Sequence, residues 1–220
     1  MRFDHAIAAV LSTIFLVGCS TGSDAIMQTM RAVWSRNDAS QAKLNPDYRY
    51  LRLVVDGRVV LLALGDVEDS RGKRVEVWYS AQKEVLRLQD GRLVGAVGST
   101  TEWRKVSLPD MPAWTSLASM KHFEWVRIRD VMPGYRIGVR DDLLLRRIDP
   151  PLRTNLREIH ATELSWFEET VAASSAADKL PTAKYALDVK GGKADVVYGE
   201  QCLDAALCFS WQRWPVKSGV

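Results

Sequence analysis

Apolar positions recur along this chain with two different periods. Behind Ser23 and Asp24, which can cap a helix, Ile26, Met27, Met30, Val33 and Trp34 follow one another at three- and four-residue spacing. Gln28, Arg31 and Arg36 occupy the opposite face, so the stretch predicts an amphipathic helix that docks on protein. From Tyr48 the period falls to two. "YRYLRLVVDGRVVLLALG" and "EVLRLQDGRLVGAV" are each two strand-like runs about an Asp-Gly pair, Asp56-Gly57 and Asp90-Gly91. A type I′ hairpin needs positive φ at both central residues, and Asp-Gly supplies it. "RVEVWYS" lies between them as a further strand, with Val75, Val77 and Tyr79 on one face. Val59 to Leu64 has no polar residue on either face, which predicts a strand covered on both sides, with the N-terminal helix as the second cover.

Farther on, "STTEWRKVSLPDMPAW" reads as a long loop with two prolines, followed by strands in "HFEWVRIRD" and "YRIGVRD". The segment from Leu156 to Phe167 fits a helical period, yet "LSWFEETVAAS" also alternates as a strand, and the pattern alone leaves both open. "AKYALDVKGGKADVVYGEQ" is a hairpin on Gly191-Gly192, and "LCFSWQRW" closes the chain. With about ten strands and one helix, the expected fold is mainly β: a curved antiparallel sheet or open β-barrel with the amphipathic helix packed on it.

The N-terminus carries another kind of information. Ala6 to Val17 is an apolar run of 12 residues without charge or proline. That is too short for a bilayer, which needs about 20, but it suits the h-region of a secretory signal peptide. Its continuation, Leu16-Val17-Gly18-Cys19, resembles the lipobox of bacterial lipoproteins. The resemblance implies cleavage before Cys19 and acyl chains, such as palmitate, on its sulfur and amine. Residues 1–18 are then a signal peptide, 19–24 a lipidated tether, and 25–220 a single, mostly antiparallel β domain with its N-terminal helix. Ser20 follows the cysteine, where enterobacterial lipoproteins retained in the inner membrane carry aspartate, so the implied address is the periplasmic face of the outer membrane.

Loss of Arg2 and Asp4 with the signal leaves the formal net charge at +3, and the charges are interspersed rather than gathered in the basic stripe of a nucleic-acid binder. Cys202 and Cys208, separated by five residues, remain as an even pair in an oxidising compartment; a disulfide across a hairpin loop is expected, with two reduced core cysteines as the alternative. No CxxC, HExxH or GxSxG motif is present, and His122 and His160 are the imidazoles left after processing. No metal, cofactor or catalytic residue is assigned, and an enzyme is the least supported class. The doublets Asp141-Asp142 and Glu168-Glu169 read as solvated charge, since neighbours in a strand face opposite ways. Eight tryptophans stand out. Most are expected in the core, while Trp103 and Trp114, in the proline-bearing loop, are the candidates for exposure and glycan contact.

In order, the lipobox, "TMRAVW", "YLRLVVDGRVVLLALG", "SAQKEVLRLQDGRLVGAVG", "LSWFEETV" and "FSWQRWPV" resemble the YjbF/GfcB family of capsule and exopolysaccharide lipoproteins over nearly the whole chain. That resemblance implies a strand at Leu164 to Val171. It also implies an accessory role in capsule or exopolysaccharide secretion or assembly, beside a periplasmic polysaccharide-export-type protein and an outer-membrane porin-like protein. A glycan-binding module and a lipid-carrying barrel are the alternatives.

Overall fold

The computed structural model describes residues 43–70, 72–117, 120–172 and 180–216. Cys19, the signal and tether, and the amphipathic stretch from Ile26 to Trp34 lie outside the described residues, so the helix expected to cover the second strand does too.

Twelve strands are present among the described residues: β1 (Tyr50–Val55), β2 (Arg58–Ser70), β3 (Lys73–Ser80), β4 (Val85–Gln89), β5 (Arg92–Val97), β6 (Glu102–Ser107), β7 (His122–Met132), β8 (Arg136–Ile148), β9 (Ser165–Val171), β10 (Ala183–Lys190), β11 (Lys193–Cys202) and β12 (Cys208–Trp214). One short helix, α1 (Trp114–Leu117), sits between β6 and β7. Each strand pairs antiparallel with its sequence neighbours, and β1 also pairs with β12, from Tyr50↔Trp214 to Val55↔Phe209. The barrel is therefore closed, where the sequence predicts an open barrel or curved sheet. Closure removes the two edges that an open sheet would expose.

Both Asp-Gly turns form as expected, with φ of 49° and 73° at Asp56 and Gly57, and 48° and 75° at Asp90 and Gly91. The expected loop around Trp103 is corrected: Glu102–Ser107 is β6, and only the stretch after it, to the start of β7, is loop and short helix. Its pairing with β7 from Glu102↔Met132 to Ser107↔Ile128 overrides a sequence with few β-formers. At the ambiguous segment the strand alternative holds for Ser165–Val171, while Ala161–Glu163 is a single 3-10 turn.

Alternation along each strand sends one face inward. Leu51, Leu62, Trp78, Leu88, Leu93, Phe167, Tyr185 and Trp211 belong to one buried cluster that fills the interior. Outward positions carry charge, as in the pairs Lys184–Glu200, Arg146–Glu168 and Arg140–Asp142. Apolar inside and charged outside is the reverse of a lipid-facing barrel's pattern. On the outer wall, Ala63 and Tyr50 are covered by Leu44, Tyr48, Ala81 and Trp214.

Connections stop both ends. Where β1 begins, the β6–β7 connection turns inward: Met111, Trp114 and Leu117 are buried, and the Trp114 indole donates to the Asp90 carbonyl at 2.8 Å. Where β1 finishes, a disulfide joins Cys202 to Cys208, and buried Leu203 accepts through its carbonyl from the Trp103 indole at 3.0 Å. The β8–β9 connection, 149–164, instead runs over the outside as a strap.

Candidate functional site

The strap is seated on a row of outward side chains that the register aligns across four strands: Arg52 with Gln212, Gln212 with Tyr198, and Tyr198 with Ala186. Asn155 donates from its backbone to the Tyr198 hydroxyl at 3.0 Å and from its amide to Ser210 Oγ at 2.9 Å, and accepts from Arg52 at 3.2 Å. Gln212 and the Arg157 backbone exchange two bonds, at 3.0 and 2.8 Å. Leu164, Trp166, Ala186 and Tyr198 form an apolar cluster on this outer wall, with Leu156 and Ile159 of the strap packed against it. Burial, reinforced by the Glu200 carboxylate, pushes the Tyr198 hydroxyl up, so it stays protonated and donates to Glu200 Oε1 at 2.7 Å.

Between the strap, the β1–β2 turn and the disulfide end of β11 and β12 lies a solvent-open groove of about 450 Å³. Asp56, Arg153, Thr154, Thr182, Glu200 and Ser210 supply its polar lining and Val54 its apolar surface, while the Phe209 ring beside it packs in the barrel interior.

A second polar assembly is sealed inside. Arg127 and Arg129 on β7 share the parity of Trp125 and Val131, Asp141 on β8 that of Leu143, and Glu169 on β9 that of Phe167, so all four face the core. Arg129 grips Asp141 with two bonds, at 2.7 and 3.0 Å, and Arg127 reaches Asp141 at 2.8 Å and Glu169 at 3.3 Å. Both guanidinium groups stack on Trp103, at 4.7 and 5.0 Å from its ring centre. Across the core, Arg92 lies 3.6 Å above the Trp114 ring, which also meets Phe167 and Tyr185. Burial lowers Arg92 to about 10, against the raising effects of Tyr185, Glu169 and Asp90, so it remains a cation at neutral pH.

The two buried carboxyls behave oppositely. Burial would raise Asp141, but the Arg129 hydrogen bonds and the Arg127 and Arg129 charges outweigh it and hold the group below its ordinary value of 3.8. At Glu169 burial prevails over the Arg127 and Arg92 charges and raises the group above 4.5. Glu169 Oε2 and Gln201 Oε1 have no protein donor, and both residues line a cavity of about 10 Å³, the size of one water. A chamber that small, closed by the disulfide loop, admits no polymer or lipid.

The expectations for individual residues now divide. Cys202 and Cys208 are disulfide-bonded. Trp103 and Trp114, expected at the surface, are 1% and 3% exposed, and both present their rings to buried arginines. As the structure places them, neither offers a face to a glycan. The acidic doublets are also corrected: Asp142 and Glu168 face outward as expected, but Asp141 and Glu169 are buried ion-pair partners. His122 and His160 are both exposed, on β7 and just before the 3-10 turn. Among the described residues, no group of three or more His, Cys, Asp or Glu is placed to hold a metal. Parity was the available signal for the buried network: Trp125, Arg127, Arg129 and Val131 alternate on one face of one strand.

The protein is a closed, antiparallel, up-and-down β-barrel with a filled interior and a strapped outer wall. Its fold is similar to that of the hypothetical lipoprotein YmcC from Escherichia coli K12. The two share 19% sequence identity over 88% of this chain and 97% of that one, with a TM-score of 0.63. No protein-family model and no curated relative matches the chain.

Proposed function

We propose that this protein is a lipid-anchored accessory factor in capsule or exopolysaccharide secretion or assembly. It acts by protein interaction at the periplasmic face of the outer membrane. The observation that carries the proposal is the lipobox ending in Cys19 at the head of a chain whose barrel is filled, capped at both ends and charged outside. A lipid on Cys19 tethers such a barrel, whose own surface is unsuited to the bilayer. The partners are a periplasmic polysaccharide-export-type protein and a porin-like protein of the outer membrane. Specificity then resides on the outer wall, because the interior is closed to substrate, and the proposed role requires no catalysis.

Deleting the gene tests the role. The expected phenotype is loss of polymer from the cell surface with polymer retained in the periplasm. Crosslinking in cells should recover the two partner types with the anchored chain. Normal surface polymer in the deletion strain, or no partner after crosslinking, would sink the proposal.

A further inference from the structure

We infer that the outer groove beside the strap is a binding site for a neutral, polyhydroxylated ligand, that is, a short run of sugar residues. Its volume of about 450 Å³ lies within the range of small-ligand sites. The lining chemistry narrows the class. Asp56 and Glu200 are balanced by Arg153 and by Lys184, which holds Glu200 at 3.0 Å, so the groove has no net charge to draw phosphate or another anion. Thr154, Asn155, Thr182 and Ser210 are neutral side chains that both donate and accept, as sugar hydroxyls do. Val54 adds apolar surface for the C–H face of a pyranose ring.

The wall is also held in place before any ligand arrives. Asn155 is fixed by three hydrogen bonds, and Glu200 by Tyr198 and by Lys184 at 3.0 Å, so little side-chain freedom is lost on binding. The opening to solvent lets a longer chain enter and leave along the trough. No tryptophan lines the groove, so the expected affinity is weak, on the order of millimolar.

The test uses the full, acylated chain in detergent micelles. Cellotetraose, maltotetraose and chitotetraose serve as probes, and inorganic phosphate as the anionic comparison. Amide shifts on titration should move at Thr154, Asn155 and Thr182 with at least one tetrasaccharide and stay fixed with phosphate. Thr182→Trp, at an exposed rim position, fills the groove and should weaken the response at least tenfold without changing the melting temperature. No shift with any of the three sugars, shifts confined to other surfaces, an equal response to phosphate, or an undiminished response in Thr182→Trp would each overturn the site. An empty groove would leave the anchored accessory role standing, because the deletion phenotype reads that role without any sugar contact.

Discussion

Asp141 and Glu169 sit in one buried network, yet their ionisation works on the fold in opposite directions. Asp141 titrates below its ordinary value of 3.8, so its stabilisation is present above that pH and is lost as pH falls through the folded value. Glu169 titrates above 4.5, so its contribution is full below that pH and is lost as pH rises through the folded value. Asp141→Asn leaves Arg127 and Arg129 facing a neutral amide and should cost about 3–5 kcal/mol, the range for breaking a buried ion pair. Glu169→Gln keeps an acceptor for Arg127 and removes the burial penalty of the charge. Its stability relative to the parent should therefore improve as pH rises from 4 to 7. Thermal melts of both variants across that range check the signs, and equal losses at every pH would refute them. Trp103→Ala removes the ring on which two arginines stack, and should cost about 3–5 kcal/mol in the same assay.

Among the elements, the turns and the disulfide loop differ in what they tolerate. Gly57 and Gly91 both have positive φ, but a Cβ on Gly57 meets nothing within 4 Å, whereas one on Gly91 would stand 2.4 Å from Val196 Cβ. Gly57→Ala should lose about 1 kcal/mol from backbone strain alone. Gly91→Ala should lose clearly more, because β11 must shift as well; urea titration of the pair separates the two effects. Removing the Cys202–Cys208 link by paired serine substitution frees a loop of sequence separation 6, worth about 2 kcal/mol by loop entropy. Leu203 then loses its clamp over Trp103, so the melting temperature should fall and tryptophan emission should shift to the red. Both Asp-Gly hairpins were legible in the sequence because a turn is a local matter of φ. β6 was not, because its strand character comes from the register with β7.

For the whole molecule, closure decides what the surface can do. With β1 joined to β12 and both ends stopped, the interior stabilises the barrel, and the proposed role leaves the outer wall to carry the interactions. Anchoring is the matching prediction at this scale. Cys19→Ala should move the protein from the membrane fraction to the soluble periplasmic fraction while the barrel's melting temperature stays unchanged. Cell fractionation with immunoblotting reads the first outcome and calorimetry the second. Membrane retention of the variant would mean that something other than acyl chains holds it.

By itself the sequence determined what depends on near neighbours in the chain: the period-two strands, the hairpin turns, the apolar run that leads to Cys19 and the even cysteine pair. The parity that places Arg127, Arg129, Asp141 and Glu169 with core residues was present too, but the acidic doublets read as solvated charge. Only the tertiary structure decided that this face is the inside of a closed barrel. Partners 12 residues apart, such as Arg129 and Asp141, or 42 apart, such as Arg127 and Glu169, leave no local pattern. The same distance in sequence hid the burial of Trp103 and Trp114 and the groove beneath the strap. A groove is shape held between segments far apart in the chain, and no single segment's sequence spells it.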